Sequence, residues 1–322
     1  MKIGRIIFSA LAGVPIALLY GLLVRLTFTS DKPLALSTMT CGFLFIVPVA
    51  IGALTVRLAP KELRRSIPYA FFAPWISIFI VAVGSIAVYL EAAICIVMAL
   101  PLFMFLSSLG GYIVMVTDKG KNETSIQNTM LGIILIAPYI VTPFEMRIPE
   151  YDSYNAVENQ IIINAPADSV WENVVSIPRV NTQEQGFSVF HLFGVPKLLE
   201  ASLSNQGIGG TRDLKFDNGL SFVETVTSWD EFNSVSFSIQ PNQQSSAPAP
   251  FNMVGGKYFV VTEMSYWIEE TGDGTVILYL RSQHRLSTHF NSYAGIWTDF
   301  MLSSLQSYVL RMIKTRAENP PF

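Results

Sequence analysis

The distribution of apolar residues along the chain changes abruptly near residue 150. Before this point, long apolar runs are separated by short charged segments, whereas after it apolar and polar positions alternate as in water-soluble domains. A membrane-spanning helix needs roughly 20 consecutive, mostly apolar residues. The pattern therefore predicts an α-helical membrane domain at residues 1–146, a linker at 147–156 and a globular domain at 157–318.

The apolar runs of the first part predict about five transmembrane helices. They lie at residues 6–26, 36–58, 68–90, 92–116 and 129–144. The stretch 68–116 carries Glu91 as its one charge and is about twice as long as a single span needs, so it predicts a helical hairpin that turns at Glu91. The first run is too long for a signal peptide and is interpreted as a retained helix.

Lysine and arginine residues are distributed unevenly around these runs, and short cytoplasmic loops carry the excess in membrane proteins. The side of the N-terminus would carry eight: Lys2, Arg5, Arg57, Lys61, Arg64, Arg65, Lys119 and Lys121. The opposite side would carry three: Arg25, Lys32 and Arg147. We therefore expect a multi-pass protein of the cell (inner) membrane with a cytoplasmic N-terminus and an extracytoplasmic, periplasmic C-terminal domain. The fifth run is the shortest, and without it the placement would reverse.

Composition narrows the classes of function. The net charge of −3 and the absence of a basic cluster argue against a nucleic-acid partner. Cys41 and Cys95 both fall in apolar runs, so the globular part has neither a disulfide nor a cysteine metal site. No Asp, Glu, Lys or His lies deep inside a predicted span, although ion and proton carriers usually need such groups. The membrane part is therefore interpreted as a platform in the bilayer rather than a conduit.

The second part predicts an α+β fold. Period-two strands are expected at 157–164, 211–216, 220–229, 234–239, 257–269 and 275–287. A short helix should follow Pro166, and a long amphipathic helix should span about residues 293–317. Together these elements predict a helix grip, in which a curved antiparallel sheet wraps around the long C-terminal helix.

The turn Asp217-Asn218-Gly219 predicts a hairpin whose register can be decided from charge. A two-residue turn would place Asp213 opposite Glu224, whereas a three-residue loop places Arg212 opposite Glu224. Opposite charges across a strand pair are favourable and like charges are not. We therefore expect the register that pairs Arg212 with Glu224.

Residues 155–318 resemble the SRPBCC or START-like helix-grip superfamily, which includes polyketide cyclase/dehydrase-like proteins. The motifs that carry the resemblance are IIINAP at 161–166 followed by Val170-Trp171, Glu200-Ala201 with GIGGTR at 207–212, GLSFVE at 219–224, and LRMIKTRAE at 310–318. The fold serves hormone receptors, lipid carriers and aromatase/cyclases, so the resemblance implies a fold rather than an activity. The membrane part matches no family.

The resemblance also implies an apolar cavity between the sheet and the last helix. The residues expected to line it are Arg212, Phe222, Glu224, Leu280, Ser282, His284, Trp297, Met301 and Tyr308. Ser282, His284 and Leu280 share one strand face, where polar groups in an apolar wall are typical of a small-molecule pocket. Glu224 and His284 are the candidate catalytic groups. A buried structural ion pair for Glu224 and a satisfied core position for His284 are the competing interpretations.

Two long connections remain. Residues 186–199 are unusually apolar and could form a lid over the cavity, dip into the bilayer surface or pack on the final helix. Residues 240–256 are rich in Gln, Ser, Asn and Pro, which favours a loop.

Catalytic motifs are sparse in the sequence. It has no HExxH, no GxSxG, no His/Cys metal spacing and no nucleotide-binding GxGxxG, so neither a metal nor a cofactor is expected. The favoured function is a membrane-anchored module that binds a hydrophobic small molecule or lipid. The alternatives are a cyclase/dehydratase-like enzyme and an envelope interaction protein that has no ligand. The sequence leaves the ligand and the oligomeric state open.

Overall fold

The computed structural model describes residues 13–28, 37–87, 89–118, 124–181, 184, 186–248, 250–272 and 274–319. The chain divides into two compact units, Met1–Glu150 and Tyr151–Phe322, and each is described by itself.

The first unit is helical. Its helices are α1 (Val14–Thr27), α2 (Gly42–Arg57), α3 (Lys61–Arg64), α4 (Ile67–Ala87), α5 (Ala93–Thr117) and α6 (Thr124–Glu145). Three of them, α4, α5 and the part of α6 from residue 128, are long and apolar enough to cross a membrane, whereas α1 and α2 are apolar but shorter. That all five cross a membrane stays a prediction. Residues 6–12 of the first predicted span lie outside the described part, as do Lys2, Arg5, Lys32, Lys119 and Lys121.

Small residues bring α2 and α5 into close contact. A Cβ atom at Gly52 would lie 1.9 Å from the carbonyl oxygen of Ser107, and one at Gly110 would lie 2.0 Å from that of Val49. Helices in membranes commonly pack through such small residues because their backbones can approach closely. The helices α4 and α5 pack against each other and are joined by a turn that contains Glu91, as the sequence predicted.

The second unit is a seven-stranded antiparallel sheet with a long C-terminal helix. Its elements are β1 (Tyr151–Ile163), α7 (Ala167–Val175), β2 (Leu198–Leu203), β3 (Thr211–Phe216), β4 (Ser221–Asp230), β5 (Ser234–Pro241), β6 (Phe259–Glu270), β7 (Val276–Thr288) and α8 (Asn291–Glu318). The strand order is β1-β7-β6-β5-β4-β3-β2. This is the helix-grip arrangement that the sequence predicted.

Two strands differ most from the prediction, because β1 begins earlier and β2 was not among the predicted strands. The strand β1 begins at Tyr151, inside the predicted linker, because it pairs with β7 from Tyr151 opposite Thr288 onwards. The strand β2 falls partly in the segment interpreted as a connection. It forms because Leu198 and Ala201 are buried against the core while its backbone pairs with β3. The strand β1 is fixed by β7, which is distant in sequence, and β2 is fixed by β3, the next strand along the chain.

The hairpin of β3 and β4 has the predicted register. Arg212 lies opposite Glu224, and Leu214 lies opposite Phe222. Gly219 ends the three-residue loop with a φ of 83°, a left-handed conformation that glycine adopts without steric cost.

Two side chains of α8 donate hydrogen bonds to backbone carbonyl groups of β1. Gln306 Nε2 donates to the carbonyl oxygen of Val157 at 2.9 Å, and Lys314 Nζ donates to that of Ile162 at 2.8 Å. These two bonds tie α8 to β1, which is an edge strand of the sheet. They also hold α8 across the sheet.

Candidate functional site

A cavity of about 210 Å³ lies between the sheet and α8. Six strands, β2 to β7, line one side of it, and α8 lines the other with Met301, Leu302, Leu305, Gln306, Tyr308 and Val309. Most of the lining side chains are apolar because alternate strand positions face the helix. The cavity is therefore a hydrophobic chamber with a few polar groups in its wall.

The structure brings seven of the nine predicted cavity residues together at this wall. They are Arg212, Phe222, Glu224, Leu280, Ser282, Met301 and Tyr308. That they bind a ligand stays a prediction.

The two other predicted residues, His284 and Trp297, do not line the cavity. His284 shares the inward face of β7 with Ser282, but its ring is completely buried and its Nε2 lies 3.2 Å from Asp299 Oδ1. Phe259, whose ring centroid lies 5.7 Å from that of His284, lines the cavity. Trp297 lies one helical turn before Met301, next to Phe300 rather than at the wall. His284 lies on the strand face of Ser282, and Trp297 lies one helical turn from Met301, but the cavity ends before it reaches either residue.

The environment of His284 fixes its charge state. Burial lowers the pKa of this imidazole, and the nearby Asp299 carboxylate opposes that shift only in part. The ring is therefore neutral at pH 7. In the described part of the chain neither ring nitrogen has a partner in hydrogen-bond geometry, which does not support the competing interpretation of a satisfied core histidine.

Arg212 and Glu224 form an ion pair in the cavity wall. Arg212 Nε donates to Glu224 Oε2 at 2.5 Å and Arg212 Nη1 donates to the carbonyl oxygen of Val174 at 2.6 Å. The guanidinium carbon lies 3.9 Å from the ring centroid of Phe237, a cation–π contact. Burial opposes the charge, but the Glu224 carboxylate raises the pKa of Arg212 above its ordinary value. The guanidinium is thus held charged and fixed in place.

Glu224 has one carboxylate oxygen left over. Its side chain is fully buried, and Oε1 has no hydrogen-bond partner among the described residues. Such an acceptor is unfavourable in an apolar interior unless a donor reaches it. The cavity wall therefore contains an acceptor that no described residue satisfies.

Two tyrosines also belong to the polar lining. Burial raises the pKa of Tyr266 to about 12 and that of Tyr308 to about 12. Both phenols therefore stay protonated at physiological pH. They can take part in hydrogen bonds to a ligand but cannot act as bases there.

The apolar segment 186–199 packs on the final helix, one of the three alternatives considered for it. Phe190 contacts Phe300 edge to face with centroids 5.2 Å apart, and His191 contacts Tyr308 in the same way at 4.9 Å. The end of the segment, with Val195 and Leu198, contributes to the cavity wall. The segment is thus part of the chamber.

Sequence reasoning missed Gln306 and Tyr266 as cavity residues. Gln306 is a buried amide on the apolar face of α8, and that misplaced polarity was the available signal. Tyr266 is two positions after Met264 and shares the inward face of β6 with it. The period of two along this strand was the available signal for Tyr266.

A metal centre is not formed by the described residues. None of their His, Cys, Asp and Glu side chains cluster in groups of three or more that could hold an ion. Metal binding therefore has no candidate site in this part of the chain.

No protein-family model and no curated protein matches the chain. Among solved structures, a protein from Nitrosospira multiformis is similar at 14% identity over 51% of this chain and 97% of that chain, with a TM-score of 0.33. Truncated norcoclaurine synthase from Thalictrum flavum is similar at 11% identity over 53% and 97%, with a TM-score of 0.34. A conserved protein of unknown function from Enterococcus faecalis is similar at 12% identity over 53% and 80%, with a TM-score of 0.31.

These similarities are too low to carry an activity or a ligand over to this chain. The helix-grip fold of the C-terminal unit stands on its own strand order and its long terminal helix.

Proposed function

We propose that the C-terminal unit binds a hydrophobic small molecule or lipid in the cavity between the sheet and α8. The observation that carries the proposal is the apolar chamber itself, whose volume is about 210 Å³. A cavity of about 150 Å³ is enough to bind benzene. The chamber therefore has room for a fused ring system or a short acyl chain.

The polar wall refines this proposal. Glu224 Oε1 is a buried acceptor, and leaving such a group without a partner costs about 1–3 kcal/mol. A hydroxyl or N–H group on the ligand would satisfy it. A cationic ligand is disfavoured because Arg212 already neutralises Glu224, and an added charge would be buried without a counter-ion.

Enzymatic function of the cyclase/dehydratase kind is the second candidate, and the unpaired oxygen of Glu224 is the observation that favours it. Binding is preferred because the other proposed catalytic group, His284, does not line the cavity. For any molecule that the cavity binds, the binding proposal predicts that the wild type releases it chemically unchanged. Loss of turnover in a folded Glu224→Gln variant would support catalysis instead.

Filling the cavity tests the binding proposal. We expect the purified full-length protein to bind 2-isopropenylnaphthalene, an apolar bicyclic probe, in equilibrium dialysis. Leu305→Trp places an indole into the cavity and should weaken binding by at least about tenfold, or about 1.4 kcal/mol. Ile296→Trp makes the same kind of change at an exposed position of the same helix and should leave binding unchanged. Equal affinity in the two variants would contradict the proposal.

We further propose that the first unit anchors the protein in the cell membrane, with the N-terminus in the cytoplasm and the C-terminal unit outside it. Three long apolar helices and the eight-to-three distribution of Lys and Arg support this. Alkaline phosphatase fused after Phe322 should then be active. A reporter that is active only in the cytoplasm should give no signal when it is fused at the same position. A signal from the cytoplasmic reporter would overturn the placement.

A further inference from the structure

The orientation of the Gln306 amide is fixed by its neighbours. Its Nε2 atom lies 2.9 Å from the carbonyl oxygen of Val157 and 2.8 Å from Ser282 Oγ, and its Oε1 lies 2.8 Å from Asn159 Nδ2. A backbone carbonyl can only accept hydrogen bonds, so the nitrogen of the amide must be the end that faces Val157. The second N–H of Gln306 is then directed at Ser282.

Asn159 supports the same orientation from the other side. Its Nδ2 donates to Gln306 Oε1 and also lies 3.1 Å from the carbonyl oxygen of Ser303. Because that carbonyl too is an acceptor only, the Asn159 amide cannot be reversed without losing the bond. The two amides therefore form a hydrogen-bond relay of fixed donor direction, in which Asn159 on β1 donates to Gln306 on α8 and Gln306 donates to Ser282 on β7.

This relay determines what the Ser282 hydroxyl can do. The oxygen accepts a hydrogen bond from Gln306, and no hydrogen bond among the described residues uses Ser282 as a donor. Ser282 is 1% exposed to solvent and lines the cavity. An unsatisfied donor at such a buried position is unfavourable, so its proton is available to a molecule in the cavity.

We propose that Ser282 is the hydrogen-bond donor that selects ligands with a neutral oxygen acceptor, namely a ketone, ester or ether, and that Gln306 and Asn159 are its positioning residues. This inference rests on the proposed binding function of the cavity. A carboxylate would be a poorer ligand, because Arg212 is already paired with Glu224 and cannot compensate a second negative charge.

The acceptor on the ligand is distinct from any group that meets Glu224. Ser282 is on β7 and Glu224 is on β4, with β6 and β5 between them in the sheet. The selected ligand is therefore a mainly apolar skeleton with its oxygen at the end near β7.

The test compares two probes that differ only in the acceptor. They are 2-acetylnaphthalene and 2-isopropenylnaphthalene, which have a C=O and a C=CH2 group at the same place. We expect the full-length wild-type protein to bind the ketone about two- to tenfold more tightly than the alkene in equilibrium dialysis. Ser282→Ala should bind the ketone no more tightly than the alkene, because the bound carbonyl then lacks a donor. Ser292→Ala, at an exposed position of α8, is the control and should keep the preference.

Two further readouts separate positioning from general structural damage. In the wild type, the infrared C=O stretch of the bound ketone should lie at lower frequency than in Ser282→Ala, because the hydroxyl donates to it. Gln306→Leu should lose the preference for the ketone, since the freed hydroxyl can then turn towards the Val157 carbonyl. If Gln306→Leu does not fold, the infrared comparison decides alone.

The outcomes distinguish the role of Ser282 from the binding function of the cavity. A preference that persists in Ser282→Ala, or equal binding of both probes by the wild type, would overturn the role of Ser282 and leave the binding cavity standing. Binding of neither probe would overturn the proposed function, and this inference with it.

Discussion

Arg212 and Glu224 face each other across β3 and β4 with Nε and Oε2 2.5 Å apart, and neither side chain has appreciable access to solvent. The pair is the most heavily buried charge in the cavity wall, and its register follows from the three-residue loop that precedes β4. A buried pair needs further hydrogen bonds to offset its desolvation. Arg212 obtains one from the Val174 carbonyl, but one oxygen of Glu224 obtains none from the residues that the structure describes.

Removing one partner of this pair should destabilise the C-terminal unit strongly. Arg212→Met leaves the Glu224 carboxylate buried without its counter-ion, which typically costs about 3–5 kcal/mol. The expected result is a lower denaturant midpoint. Unfolding is monitored by the tryptophan fluorescence of the detergent-solubilised full-length protein. The double variant Arg212→Met/Glu224→Leu should recover much of the loss, because it removes both charges together. A single variant as stable as the wild type would contradict the description of the pair.

Acid should destabilise the protein through His284. Burial lowers the pKa of this imidazole in the folded state below its ordinary value of 6.5, so the unfolded chain binds the proton more readily. The contribution of His284 to stability is therefore complete above about pH 6.5 and is lost as the pH falls from there towards the folded-state pKa. Unfolding midpoints measured between pH 5 and pH 7.5 should show this slope.

The matched variant for that measurement is His284→Asn, which does not titrate. Its midpoint should depend less steeply on pH in the same range. An identical slope in both proteins would assign the pH dependence to other groups.

Close packing of the first unit should be sensitive to a single methyl group. Gly52→Ala would place a Cβ atom 1.9 Å from the Ser107 carbonyl oxygen, so α2 and α5 would have to move apart. We expect a lower melting temperature and less monodisperse protein in size-exclusion chromatography. Gly84→Ala is the control, since no atom lies within 4 Å of its added Cβ, and it should behave as the wild type does.

The pattern of residues was sufficient for much of the fold because local signals and tertiary pairing agree there. The charges of Arg212 and Glu224 decided the hairpin register, and alternation along β7 identified the face that carries Leu280 and Ser282. The strand β2 was not predicted, because a six-residue strand next to an apolar connection has no distinct pattern of its own. It is defined by its pairing with β3.

The limits of the candidate site were harder to predict than its face. His284 and Trp297 follow the correct periodicity, yet the cavity ends before both of them, and its length is set by side chains from other elements such as Phe259. The direction of the Ser282 hydroxyl depends on the Val157 carbonyl, which is far away in sequence. Such relationships exist only once the sheet and α8 have assembled.

The binding account is tested most directly by native mass spectrometry of the full-length protein released from detergent. It predicts a non-covalent adduct of defined mass, different from detergent, on the wild type and on Ile296→Trp, and no such adduct on Leu305→Trp, in which the cavity is filled. A wild type that carries no adduct and binds no apolar probe, or an adduct that persists equally in Leu305→Trp, would contradict it.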